Sequence, residues 1–217
     1  MKTGFISAKS SFNHDTGDGH PENRYRIQSI LERIKKRGFS NLEWREPKKF
    51  DETYLTKTHN SVYIDEVKKA FPRKGKFFLD GDTVISPGSK EASYDAVSSI
   101  ITAVDLVKNK KFKNVFCAVR PPGHHAENDY AMGFCFFNNI AIASEFLCSE
   151  MGFKRVLIFD FDVHHGNGTQ HFFEERDDVY FVSMHQDPRS CYPGTGYAVE
   201  RGKGAGAGYT LNIPVLA

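Results

Sequence analysis

At 217 residues, with 29 basic against 27 acidic side chains and a formal net charge of +2, the chain is long enough to bury a core as a single domain over 1–217. Its lysines are spread out, not gathered, which argues against a nucleic-acid groove or a membrane surface, and no stretch approaches a membrane span. The four cysteines, Cys117, Cys135, Cys148 and Cys191, make no CxxC pair, and the N-terminus lacks the apolar core of a secretion signal. Both features fit a soluble cytoplasmic protein with reduced thiols.

Residues 3–8 read as a first, edge strand. Pro21 suits the first position of a helix in which Ile27, Ile30, Leu31 and Ile34 follow the i, i+3, i+4, i+7 rule, with Gly38 past its end. Residues 51–57 and 61–71 read as shorter helices, with His59 in the turn between them. A loop over 77–88 holds Asp80 and Asp82, of which Asp80 is expected to turn or cap it. A long helix then starts near Ser89, with Ala92, Ala96, Ile100, Val104 and Val107 as its core stripe, flanked by Val97 and Ile101. Residues 114–119 read as a short strand, 120–132 as a long loop leaving it, and 138–150 as a helix presenting Ile140, Ala143, Phe146 and Leu147.

The stretch 155–168 organises the rest. Val156, Leu157, Ile158 and Phe159 are apolar without alternation, which predicts a parallel strand covered on both faces. Side chains two apart share a strand face, so Asp160, Asp162 and His164 are expected to point together at the strand's C-terminal end, where open α/β sheets bind ligands. Carboxylate and imidazole without cysteine is the donor chemistry of a catalytic zinc. A plainer reading has one Asp capping the next helix and one His bonded in the core. Three polar side chains at a buried strand end are costly unless something binds them, which favours a metal. Residues 169–175 read as a helical turn, 179–184 and 209–214 as strands, and 185–208 as a loop. Its glycine-dense segment 202–208 lacks phosphate-loop spacing. Strand, helix and strand at these intervals predict an α/β fold with a parallel sheet.

Three of the predicted loops leave strand ends carrying unusual residues: Arg120 to Ala126, Asp162 to Gly168, and Ser183 to Gly194. The adjacent His124 and His125 offer one imidazole to take a proton from an attacking water and one to give a proton to a leaving group. With a metal, these parts describe hydrolysis of an unactivated acyl bond. His20, His59 and His185 are expected to be exposed or structurally bonded, and His171 to be ordinary. Cys135 reads equally as a site-lining thiol or a packed small hydrophobe.

The segments Arg120-Pro-Pro-Gly-His124-His125-Ala, Gly133-Phe-Cys-Phe-Phe-Asn-Asn139 and Asp160-Phe-Asp162-Val-His164-His165-Gly-Asn167-Gly resemble the zinc-dependent histone deacetylase family, in its class II, bacterial and acetylpolyamine amidohydrolase branch. The likeness also takes in His20-Pro21-Glu22, residues 79–83 and Tyr192 to Gly196. It implies an arginase/deacetylase-like fold, an eight-stranded parallel sheet with helices on both faces. It makes Asp162 and His164 zinc ligands and His124 and His125 the acid/base pair, with Asp160 and Asn167 orienting those histidines from behind. Phe134 and Tyr192 would wall an acyl-lysine tunnel, the carbonyl of Gly133 would receive the substrate amide N–H, and Asp82 would hold the substrate backbone at the rim. Potassium is implied near the backbone of Asp160, Asp162 and His164 and the side chain of Ser183, with a second ion at carbonyls near Phe173, Arg176 and Val179. Arginases share the fold but follow an Asp-x-His-x-Asp pattern for two manganese ions. Here the last position is Gly166, which favours one zinc.

In the family a third zinc ligand, an aspartate, and an oxyanion-stabilising tyrosine come from later segments that these 217 residues lack. The sequence is therefore expected to represent a catalytic domain without its C-terminal part, with an exposed edge on the last strand and uncovered apolar helix faces. His185 and Asp187 are in-chain alternatives for the third ligand. Two functions follow: hydrolysis of N-acetyl-lysine, an acetylated polyamine or a small amide with release of acetate, or a non-catalytic chain that binds metal or acyl-amine weakly. Oligomeric state is not legible.

Overall fold

Parallel pairing organises the computed structural model, which describes residues 2–216; Met1 and Ala217, the ends of the predicted domain, lie outside them. Strand β1 (Thr3–Ile6) pairs in parallel with β2 (Leu42–Arg45). A short antiparallel pair, β3 (Phe77–Phe78) and β4 (Val84–Ile85), lies within the predicted 77–88 loop. Strand β5 (Asn114–Cys117) takes the other side of β1. Residues 3–6 are therefore central in their sheet, not an edge, and Phe5 and Ile6 are buried. The reason is β2, whose half-polar Leu-Glu-Trp-Arg has no strand signature of its own. A second parallel group has the order β6 (Val156–Asp160), β7 (Val179–Gln186), β8 (Thr210–Val215).

The helices follow local signals. Helix α1 (Arg24–Arg37) starts where the Asn23 side chain accepts from the Tyr25 amide, three residues after Pro21, and stops at Gly38 with φ of 62°. Residues 52–57 form a 3-10 turn capped by Asp51, and α2 spans Ser61–Ala70. Helices α3 (Ser89–Lys108), α4 (Asn139–Ser149) and α5 (Asn167–Phe173) complete the set. Helix α3 packs on β5 and on α4, and α4 packs on β6, so the helices join the two strand groups. One core cluster gathers Ile64, Val67, Val97, Phe136, Phe137 and Ile142; another gathers Ala141, Ile158, Phe173, Val179 and Phe181.

Cover on β6 is one-sided. Ile158 is 5% exposed, whereas Leu157 and Phe159 are 67% and 53% exposed. The apolar run thus exceeds what the described residues bury, and the expected two-sided cover is absent among them. Ile100 and Ile140 join Leu157 and Phe159 along an open cleft that ends at His124, Asp160 and Asp162. This also corrects the α3 stripe. Ala92, Ala96, Val97 and Ile101 are buried, but Ile100 lines the cleft and Val107 is exposed. At the other end of its group β8 is an edge strand, with Ile213 and Val215 exposed.

Candidate active site

The loop after β5 is fixed before it reaches the histidines. Arg120 is buried and its guanidinium donates to both carboxylate oxygens of buried Glu22, at 2.5 and 2.8 Å, and to the carbonyls of Ser11 and His14. Paired and saturated in this way, a buried charge is tolerable. Gly123 follows at a close approach of backbones, where a Cβ would stand 2.6 Å from the Asn139 nitrogen. Asn138 caps α4 by accepting from the Ala141 amide, and Asn139 donates to the Pro121 carbonyl. The start of α4 and the loop thereby set each other.

His124 and His125 emerge with ring centroids 4.0 Å apart and different partners. His124 Nδ1 is 2.8 Å from Asp160 Oδ2, and His125 Nδ1 is 2.7 Å from Asn167 Oδ1. Burial works against charge on His124, but the hydrogen bond and charge of Asp160 prevail and raise its pKa. Asp160 shows the reciprocal effect: burial opposes ionisation, and His124 overcomes it and lowers the pKa. Burial, helped by the neighbouring His124, pushes His125 down to about 3. The two rings are thus pushed in opposite directions, His124 toward its charged form and His125 toward its neutral one.

Asp162 and His164 meet differently from the expected common strand face. Strand β6 stops at Asp160, whose Oδ1 accepts from the Asp162 amide, and Asp162 Oδ1 in turn accepts from the His164 amide. These two side-chain-to-backbone turns, not strand alternation, bring Asp162 Oδ1 within 3.0 Å of His164 Nδ1. Both side chains are partly exposed. Carboxylate and imidazole on one approach fit a zinc ion in kind. They fall short in number, because among the described residues no group of three or more His, Cys, Asp or Glu is placed to hold a metal. The in-chain alternatives face elsewhere: His185 bonds Ser183 and the Gly196 carbonyl through its two nitrogens, and Asp187 pairs with Arg189.

The remaining site residues are brought to the same mouth. Tyr192 lies with its ring 5.1 Å from that of His125 and 6.0 Å from that of His164. Burial, with Asp82 and Asp80 nearby, pushes its phenol pKa up. Gly133 has φ of 55°, and a Cβ there would meet His125 Cδ2 at 2.3 Å, so only glycine fits against the histidine. Phe134 also has positive φ and is held by its amide on Thr83 Oγ1, next to Asp82. Asp80 turns that loop by accepting from the Asp82 and Thr83 amides. Ser183 is buried in register with Asp160 across β6 and β7. Cys135 is fully buried, its thiol pKa pushed up by burial, so it reads as packing.

The histidines expected to be structural sit in bonded settings. His20 spans Glu22 and the Asp82 carbonyl, and buried His59 bonds the Glu127 carbonyl and the Asn138 amide. Sequence reasoning passed over Glu127 and the support it gives Asn167. A carboxylate two residues after the histidine pair, inside a loop with no solvent-facing period, was the available signal.

A parallel α/β scaffold that delivers a histidine dyad beside an Asp/His pair defines a class, and comparison with known proteins agrees. Residues 20–217 match the histone deacetylase domain family, and the chain belongs to that family. It is 37% identical over 218 residues to a probable deacetylase of Archaeoglobus fulgidus, covering 99% of this chain and 59% of that protein. It is 47% identical over 142 residues to the acetylpolyamine amidohydrolase of Mycoplana ramosa, covering 65% and 41%. The crystal structure of the HDA15 HD domain superposes with a TM-score of 0.90 at 32% identity, covering 98% of this chain and 61% of that one. The fold is thus the arginase/deacetylase type, and this chain spans under two thirds of these relatives.

Proposed function

We propose that this chain acts in the zinc-dependent release of acetate from N-acetyl-lysine, an acetylated polyamine or a related small amide, in the cytoplasm. One observation carries the reading: two adjacent imidazoles held by different partners, one by a carboxylate and one by an amide. Asp162 and His164 would be among the donors of a zinc ion, which would supply Lewis acidity toward a water and a carbonyl. His125, uncharged, takes the proton of the attacking water. His124, whose charged form Asp160 favours, gives a proton to the departing amine nitrogen. Asp160 and Asn167 hold the two rings at their Nδ1 atoms and so keep the opposite nitrogens for chemistry.

Around that centre, Phe134 and Tyr192 wall the acyl-lysine, the Gly133 carbonyl receives the amide N–H, and Asp82 holds the substrate backbone. The Tyr192 ring against His125 and His164, and the Thr83 bond that seats Phe134 beside Asp82, support these roles. The backbone of Asp160, Asp162 and His164 with Ser183 would hold a potassium ion, and carbonyls near Phe173, Arg176 and Val179 would hold a second. The Asp160–Ser183 register supports the first site, and the turn joining α5 to β7 supports the second.

A second reading, weak metal or acyl-amine binding without turnover, is favoured by the two-donor limit among the described residues. Acetate release from an acetyl-lysine peptide, measured with zinc and with a chelator beside a His125→Ala control, separates the two. Chelator-sensitive release lost in the control supports hydrolysis by this chain. No release from a folded sample supports the second reading.

A further inference from the structure

Behind His125 the hydrogen bonds continue beyond the dyad. Asn167 Oδ1 lies 2.7 Å from His125 Nδ1, where it can only accept, and Asn167 Nδ2 donates to Glu127 Oε1. Glu127 is buried, and both its oxygens lie 2.9 Å from Nδ1 of His171, whose ring reaches the surface. The backbone of Glu127 is itself fixed: its carbonyl accepts from buried His59 and its amide donates to the Tyr130 carbonyl.

The chemistry of these groups sets a direction. An ionised carboxylate only accepts, so the amide nitrogen of Asn167 must face Glu127 and its oxygen must face His125. An oxygen facing Nδ1 requires that Nδ1 carry the proton, which leaves Nε2 of a neutral His125 unprotonated. A protonated Glu127 could donate instead and would permit the reversed amide and the other tautomer. Two donors, Asn167 Nδ2 and His171 Nδ1, converge on the Glu127 oxygens, the arrangement suited to a carboxylate that only accepts.

We propose that Glu127, held by His171, is the positioning residue that orients the Asn167 amide and thereby fixes His125 as the Nδ1–H tautomer. The inference rests on the proposed role of His125 as base and adds what selects the basic nitrogen. It also gives His171, expected to be ordinary, a part in the site.

Long-range proton–nitrogen spectra of the full 217-residue chain, with histidine nitrogens labelled, test the proposal without substrate or metal. His125 is assigned by loss of its signals in His125→Ala. In the unsubstituted chain His125 is expected in the Nδ1–H form alone. Glu127→Gln, whose amide both donates and accepts, is expected to give a mixture with the Nε2–H form, and His171→Ala a smaller shift in the same direction. Where Glu127→Gln fails to fold by circular dichroism, His171→Ala at its half-exposed position decides. A single unchanged Nδ1–H form in the folded variants, or an Nε2–H form in the unsubstituted chain, overturns the proposal. Failure of acetate release with the expected tautomers would count against the proposed function alone.

Discussion

The two halves of the site differ in how much of their surroundings the described residues supply. The acid/base half is closed: His125, Asn167 and Glu127 are buried, and behind them Arg120 and Glu22 tie the loop to the N-terminal segment. The half proposed to hold metal is open: Asp162 and His164 have each other and backbone amides, and the β6 face below them exposes Leu157 and Phe159. Preorganisation and metal affinity are therefore separable here. The first comes from a loop pinned by buried ion pairs and amides, and the second depends on how many donors converge.

If the closed half is as tightly built as its bonds suggest, acid should damage it first. Burial pushes His14 and His59 each down to about 4, below the unfolded value of 6.5. Between those values the unfolded chain binds protons that the folded chain refuses. Their contribution to stability is full above pH 6.5 and is lost as pH falls toward 4, by up to about 3 kcal/mol apiece. Thermal melts at pH 7.5, 6 and 5 are expected to show a falling midpoint. A flat profile would mean that these imidazoles are not held neutral.

A more local cut should approach that size. Glu22→Gln leaves the Arg120 guanidinium buried without its counter-charge, and breaking such a pair costs about 3 to 5 kcal/mol. Urea unfolding reads the change, and a loss below 1 kcal/mol on the scale of an exposed pair would show the loop to be held by other means. The open half is probed by neighbours on one strand. Ile158→Ala is expected to cost about 2 to 4 kcal/mol as a core truncation. Leu157→Ala, one residue away on the uncovered face, is expected to stay within about 0.5 kcal/mol. Equal costs would mean that something covers both faces of β6 in solution.

The sequence carried the closed half better than the open one. Pro-Pro-Gly and the histidine pair stood out on their own, because adjacent imidazoles on a Pro/Gly-fixed loop are rarely needed for packing, whereas Gly133, Asn167 and the orienting role of Asp160 were marked only by the resemblance to the family. The edge reading of residues 3–8 failed because β2 hides in a half-polar segment. The two-sided cover of β6 failed because the described residues bury only one face of a run that is apolar on both. The common-face argument for Asp160, Asp162 and His164 failed because Asx turns end the strand. Glu127 and His171 escaped notice because a lone acid and a lone helical histidine have no periodic signature, and only the fold joins residues 44 apart.

The central claim is that Asp162 and His164 are the chain's metal donors and an incomplete set. Zinc titration of the 217-residue chain by calorimetry, beside Asp162→Ala and His164→Ala, tests it directly. Four-donor sites bind zinc with about 10 to 16 kcal/mol, so two donors predict roughly half of that and a Kd no tighter than about 1 μM. The account predicts weak one-to-one binding that disappears in either variant. Tight binding, or binding that survives both substitutions, would contradict it and place the metal on donors elsewhere in the chain.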